Sequence, residues 1–366
     1  MAVTVYRSTD ASAPVLTGQV GSLIALLDAV LVNGYGAKSA AGWTKPYTGT
    51  NLAAFRNSTT DGTGSYLRVD NSSASYGGVY VHGFTAMTDI STGTGGFPVG
   101  NTATNNYEVW PVSLTVNSTA RPWVIIADAF RFHLFIQSGY YKTVATEWEH
   151  AYFGDILSYK PADTMRALLV GSYVATNNLA AICPSTRTSA TYHGSHLRLC
   201  HLPYQDTAGA TGQFMSNTGH GDGSNPGREV AMPGNVLGAL SPIGMTVTAG
   251  LHHSPAFGAS AFVCGNSAGL VYPLVANSGL VMVPLYLYDG QVATGRCASL
   301  RGTWPGVLAP LHNNALTNND TFSGSGDFAG RTFEVFSCLT STYDISSYSL
   351  VAQIIIETSD TWGNTP

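Results

Sequence analysis

The chain has 366 residues, a formal net charge of −5 and only 10% charged side chains, against about 25% in ordinary soluble proteins. No basic run is present, so the electrostatic footprint of a nucleic-acid binder is missing. Apolar runs stop at about ten residues, too short to cross a bilayer, and the opening MAVTVYRSTD lacks the basic-then-apolar pattern of a secretory leader.

Disorder is also excluded, because 19 Tyr, 14 Phe and 6 Trp can build sizeable cores. A surface this poor in charge is expected to be shielded by copies of the chain or by other subunits. The five cysteines are odd in number, widely spaced and without a CxxC pair, so free buried thiols are expected.

In chain order, residues 2–6 (AVTVY) read as a short strand or arm. The stretch from Ser8 to Arg56 then holds the one convincing amphipathic helix. Leu23, Leu26, Leu27, Val30 and Leu31 recur at i, i+3, i+4, i+7 and i+8, which lines one face of a helix. Ser22 is the expected N-cap, and Asn33-Gly34 supplies a left-handed exit with Gly36 as a further turn. So short an apolar stripe does not stand alone in water. It is expected to dock on a partner or a neighbouring copy, together with the aromatic arm behind it. The candidate docking residues are Leu23, Leu27, Leu31, Trp43, Tyr47 and Phe55.

Residues 57–106 are dense in Ser, Thr, Gly and Asn, with strand-like islands at 66–69 and 79–84 and an exposed loop near residue 100. Alternation returns at 107–116, and the apolar runs 122–127 and 130–136 meet across Asp128-Ala129 as a hairpin. Residues 151–157 and 166–174 continue the β pattern. A loop-rich stretch follows at 205–260, long enough to suggest a functional or partner-covered segment. From residue 259 short strands recur, with Pro273 and Pro284 inside two of them, which marks edges or bulges. The expected fold is mainly β, antiparallel sandwich or barrel-like domains with one N-terminal helix. Its expected segments are a helix and docking arm (1–60), a Gly/Ser/Thr-rich strand–loop region (61–106), a β domain (107–204), a long loop region (205–260) and a C-terminal β domain (261–366).

Four constellations could carry chemistry. Gly265 to Gly269 spells GxSxG, and Ser267, Asp289 and His312 follow the hydrolase order. The motif needs a helix after its serine, whereas Leu270-Val271-Tyr272-Pro273 is hostile to one, so a turn between strands is favoured. His193, His196, Cys200 and His201 supply zinc-type ligands, but Cys200 and His201 would face opposite sides of a strand; His252-His253 is weaker still. Glu147, Glu149, His150 and Asp155 lie close enough for acid–base partners, yet Gly154 and Asp155 read better as a structural turn starting a strand. The glycine-rich loops at 93–100 and 221–227 lack the Lys-Ser/Thr of a phosphate loop. Aromatics in the Ser/Thr-rich regions would suit stacking on sugars, though core or interface anchoring is the commoner use. No catalytic residue, metal site or cofactor is assigned.

Several segments together resemble one family. They are STDxxAPxLxGxxGSL at 8–23, NGYGxKxAAGWTKxYxGTN at 33–51, FGDI at 153–156, LRGTWPG at 300–306 with Leu311-His312 after it, and IETSDTW at 356–362. This pattern is similar to that of a family of virion structural proteins of tailed bacteriophages. It touches both ends and the middle, whereas residues 180–255 contain none of its landmarks. The resemblance implies membership of a particle rather than a reaction, with no catalytic residues to carry over. Gly34, Gly36, Gly154, Asp155, Gly302 and Gly306 are expected as structural turns.

The expected function is therefore a non-enzymatic tail, collar or baseplate component. The partners would be copies of itself and other virion proteins, without nucleic acid or membrane insertion, in a particle assembled from protein made in the host cytoplasm. The alternatives are a head-decoration protein and a tail module binding a host-surface glycan or receptor; a serine hydrolase is the remote one.

Overall fold

The computed structural model describes residues 3–72, 77–97, 107–139, 148–171, 199–201, 282–289, 299–310, 316–339, 351–359 and 361–362. Among the described residues the fold is mainly β, with several antiparallel sheets and one α-helix, near the start. The chain divides into two compact units, one of Met1–Ile156, Ala162–Ile182 and Leu199–Phe214, the other of Leu157–Pro161, Cys183–Arg198 and Met215–Pro366.

The first unit begins with β1 (Thr4–Arg7) and α1 (Ser22–Leu27), which continues as a π-helical segment (Asp28–Asn33). Strands β2 (Thr44–Gly49), β3 (Leu52–Arg56), β4 (Tyr66–Asp70) and β5 (Gly78–Phe84) follow. A small hairpin, β6 (Ala86–Met87) and β7 (Gly93–Thr94), precedes β8 (Glu108–Pro111), β9 (Trp123–Ala127), β10 (Arg131–Ile136) and β11 (Glu149–Asp155). After β12 (Leu157–Ser158), which belongs to the second unit, come β13 (Ala167–Gly171) and β14 (Leu199–His201). These strands form a six-stranded sheet in the order β1-β9-β10-β11-β13-β14 and a five-stranded sheet β2-β3-β4-β5-β8.

Strand periodicity explains why the two sheets stack. Phe55 on β3, Leu67 and Val69 on β4, and Val79 and Val81 on β5 all point one way. They meet Ile125, Phe132, Leu134, Phe153 and Leu169 from the six-stranded sheet in one buried core. That shared core is a sandwich. β5 pairs with β8 across the expected boundary at residue 106, and one core draws on residues from Tyr6 to Leu169, so the expected segments 1–60, 61–106 and 107–204 share that core as far as they are described. The hairpin across Asp128-Ala129 is present, with Phe132 opposite Ala127 and Ile136 opposite Trp123.

The helix keeps its expected apolar face but not its expected hydrogen bonds. Leu23, Leu26, Leu27, Val30 and Leu31 are all fully buried in the core of the sandwich. Ser22 is not the N-cap. Gly21 holds that position with φ 83°, the Ser22 hydroxyl accepts the Thr17 N–H at 2.8 Å, and the orphan Leu23 N–H is taken by Asn71 Oδ1 at 3.3 Å. At the other end the Gly34 N–H reaches back five residues to the Ala29 carbonyl at 2.7 Å. The wider π turn leaves the Val30 and Leu31 carbonyls to accept from Ala41 N–H at 3.0 Å and Trp43 N–H at 2.9 Å. The segment behind the helix is thus fastened by backbone.

In the second unit, β15 (Met282–Asp289), β16 (Ser299–Pro310), β17 (Thr321–Ser323), β18 (Thr332–Leu339) and β19 (Val351–Glu357) join β12. The sheet order is β12-β16-β19-β18-β17, with β15 also on β16. Among the described residues β15 pairs with β16 alone, and its register shifts between Pro284 and Tyr286. An edge position with a bulge is what a proline in a strand requires.

Candidate functional site

The described parts of the landmark segments build three joints. At the first, Asp10 Oδ2 accepts from the Arg7 N–H at 2.8 Å and from the Tyr35 hydroxyl at 2.8 Å, with Lys38 Nζ 3.8 Å away. Lys38 Nζ also donates to the Val5 carbonyl on the edge strand β1 at 2.9 Å, and Tyr6 donates to the Ser39 carbonyl at 2.7 Å. Gly34 and Gly36 both have positive φ, and Tyr35 and Lys38 bond reciprocally around the turn. Trp123 Nε1 donates to the Pro14 carbonyl at 3.0 Å, and Trp43 Nε1 to the Asp128 carbonyl at 2.8 Å.

Burial, then the hydrogen bond to Asp10 and its negative charge, push the Tyr35 phenol above its ordinary value. A raised folded-state value gives stability that is complete below the unfolded value of about 10 and is lost above it. Stability should therefore fall with rising pH above about 10. Tyr35→Phe should make that alkaline slope shallower by less than one proton, read as denaturation midpoint against pH.

The second joint is built on FGD. These residues end β11 instead of starting a strand, and neither Gly154 nor Asp155 makes a turn: they pair with Arg131 on β10 and with Leu168 and Ala167 on β13. Asp155 is 1% exposed. Its carboxylate accepts from Asn57 Nδ2 at 2.9 Å, the Thr63 N–H at 2.9 Å and the Thr63 hydroxyl at 2.5 Å, and it pairs with Arg166 Nε at 3.2 Å. So many donors converging on one carboxyl group tie β11 to the Asn57–Thr63 segment and to Arg166. Asp155→Asn would turn one acceptor oxygen into a donor facing the Thr63 N–H and Arg166. An expected loss of about 2–3 kcal/mol is checked by urea denaturation.

The third joint lies in the second unit and unites the last two landmarks. Gly302 and Gly306 are inside β16 and not at free turns. Gly302 pairs with Ser158 and with Leu287 on either side. Gly306 has φ +72°, and a side chain there would run into the Trp362 indole. Trp362 Nε1 donates to the Glu357 carbonyl at 2.8 Å, and the Glu357 carboxylate pairs with Arg331, Nε at 2.7 Å.

No protein-family model matches the chain, and no curated protein does.

The six candidate docking residues need correction. Leu23, Leu27, Leu31 and Phe55 are fully buried and Trp43 is 3% exposed, all within the sandwich core. The helix does dock, but on its own chain. Tyr47 alone of the six stays half-buried, its ring stacked on Tyr66 at 6.1 Å and its hydroxyl donating to the Met87 carbonyl at 3.0 Å. Arg56 lies over the other partner, 4.8 Å from the Tyr66 ring.

Of the remaining constellations only some members fall within the described residues. Glu149 hydrogen-bonds Ser138, His150 bonds His133 at 2.9 Å and Asp155 belongs to the joint above. Asp289 ends β15 opposite Ser299, whereas Ser267 and His312 lie outside the described residues, as do Glu147, His193, His196, His252, His253 and Pro273. Cys200 and His201 hold consecutive positions on β14, opposite Val170 and Leu169. Among the described residues no group of three or more His, Cys, Asp or Glu is placed to hold a metal. The sequence reading missed the His133–His150 pair, whose only signal is a histidine on each of two neighbouring strands.

Proposed function

We propose that this chain is a non-enzymatic structural component of a tailed-bacteriophage virion, placed at the tail, collar or baseplate and working with copies of itself and other virion proteins. The observation that carries the reading is the use made of the landmark segments. Asp10, Tyr35, Lys38 and Trp43 tie the N-terminal stretch to the sandwich, Gly154 and Asp155 lock its strands, and Gly306 with Trp362 and Glu357 ties the C-terminal sheet. Residues placed this way specify a scaffold, and scaffold identity is what the resemblance to virion structural proteins speaks to. The scarcity of charge, 10% of residues, supports surfaces covered in an assembly.

The test is labelled localisation in intact particles with a copy number, which separates a tail ring from a lattice on the head. Absence from mature particles, together with a purified chain that stays monomeric at high concentration, would refute the proposal. Tyr47→Ser addresses the contact itself, since it is the one docking candidate outside the main core. The variant should fold with a loss of about 1 kcal/mol and be incorporated less efficiently, measured against wild type in the same particle preparation.

A further inference from the structure

Strand alternation gives the five-stranded sheet a second face, turned away from the shared core. Leu67 and Val69 on β4 and Val79 and Val81 on β5 point into that core. Arg68 and Asp70 on β4 and Tyr80 and His82 on β5 therefore point out of it. The register sets Arg68 opposite His82 and Asp70 opposite Tyr80. Tyr80 in turn faces Val109 on β8, and the Tyr107 ring packs on the Tyr80 ring at 4.3 Å, tilted by 54°. One row along the sheet, Tyr66 and Phe84 pack with Met87 and Ile90 from the β6–β7 hairpin. The hairpin thus walls one side of the row that holds Arg68.

The two charged groups on this face keep hydrogen-bonding capacity. Arg68 and Asp70 stand side by side, yet Nη2 and Oδ2 are 3.7 Å apart, beyond hydrogen-bond length. Among the described residues Arg68 Nε has no acceptor. Asp70 Oδ1 accepts from the Ser72 N–H at 3.1 Å and from its hydroxyl at 2.5 Å, which leaves Oδ2 to the loose ion pair. The two side chains are 27% and 24% exposed, and Tyr80 and Tyr107 are half-buried.

The chemistry of the set selects its ligand. An anion attracted to Arg68 meets the Asp70 carboxylate beside it, and a cation drawn to Asp70 meets the guanidinium. A neutral molecule rich in hydroxyls suits both, since a hydroxyl donates to a carboxylate and accepts from a guanidinium. The tyrosine pair asks for an apolar face on the same molecule. A sugar ring has both, hydroxyls at its rim and C–H groups across its face. We propose that Arg68, Asp70, Tyr80 and Tyr107 form a binding site for a neutral saccharide. The ring lies against the tyrosine pair, neighbouring hydroxyls bridge the Arg68 guanidinium and Asp70 Oδ2, and the β6–β7 hairpin closes one side.

The experiment exposes the full chain to an array of immobilised mono- and oligosaccharides, neutral ones beside sialylated and phosphorylated ones. The wild type should be retained by a set of neutral glycans. Arg68→Met should weaken that binding by about ten- to a hundredfold, the worth of hydrogen bonds to a charged group. Tyr107→Ala should weaken it by about tenfold through the lost ring contact. Neither side chain lies in the shared core, so both variants should keep the wild-type circular-dichroism spectrum. Should they fail to fold, the wild type decides alone. A bound neutral glycan should slow modification of Arg68 by phenylglyoxal, followed by mass spectrometry, and leave Arg166, 28% exposed, as reactive as before. No retention on neutral glycans, retention only on the acidic ones, or binding indifferent to both variants overturns the site. An Arg68 that stays equally reactive with glycan bound overturns it too.

Discussion

Gly154→Ala is expected to lower the unfolding free energy by about 3–5 kcal/mol, a large part of the 5–15 kcal/mol typical of a domain. Two costs combine. The residue has φ +137°, a region that side chains rarely enter, and an added Cβ would fall within contact distance of the Arg131 Cα and the Phe130 carbonyl oxygen. Both obstacles are backbone, so no rotamer change relieves them, and β10 and β11 must separate where Asp155 is anchored. Gly326→Ala is the control. It also has positive φ, 60°, but nothing lies within 4 Å of the new carbon, so about 1 kcal/mol is expected. Urea midpoints of the two variants measure the difference. Equal losses would mean that crowding at Gly154 is unimportant.

The Leu27→Ser/Trp43→Ala double variant is expected not to fold. Read as a surface stripe, these residues would yield a soluble chain defective only in assembly. In the structure both belong to the sandwich core, Leu27 at 0% and Trp43 at 3% exposure. Trp43 packs edge-on to Phe132 at 5.5 Å and against Phe153 at 6.0 Å, and its Nε1–H satisfies the Asp128 carbonyl. Truncations of this kind cost about 2–5 kcal/mol for leucine and 3–5 kcal/mol for tryptophan. A buried serine hydroxyl adds to the loss. Because the sites share one core the losses need not add, but either sum approaches the whole stability of a domain. Aggregation or an unfolded circular-dichroism spectrum is the expected result. A native spectrum with a cooperative thermal transition would place Leu27 and Trp43 outside the cooperative core.

How much was legible in the sequence depended on how local the signal was. β4 and β5 alternate cleanly and could be read directly, as could the β9–β10 hairpin. The helix face was legible because its period is a property of the residues alone. Its π-helical half was not, since the widened turn goes with acceptors for Ala41 and Trp43, which only the folded chain brings near. A sequence also shows that an apolar stripe must be covered without showing that its own sheet covers it. β16 was missed because Gly302, Pro305, Gly306 and Pro310 disguise it as a loop, and the β2–β3 hairpin because TKPYTGTN is nearly all polar. In the sequence Asp155 looks like a turn residue because Asn57, Thr63 and Arg166 are remote from it, and the histidine pair needs the β10–β11 register to exist.

The five residues 157–161 carry one further consequence. They leave the first unit after Ile156, contribute β12 to the sheet of the second against Gly302 and Thr303, and the chain then rejoins the first unit at Ala162. The two units are therefore stitched by more than one crossing, and no single cleavage yields both intact. A fragment that ends before residue 215 carries β12 without its partner strand, and the complementary fragment lacks β12 altogether, so exchange of halves between relatives would have to move both units as a block.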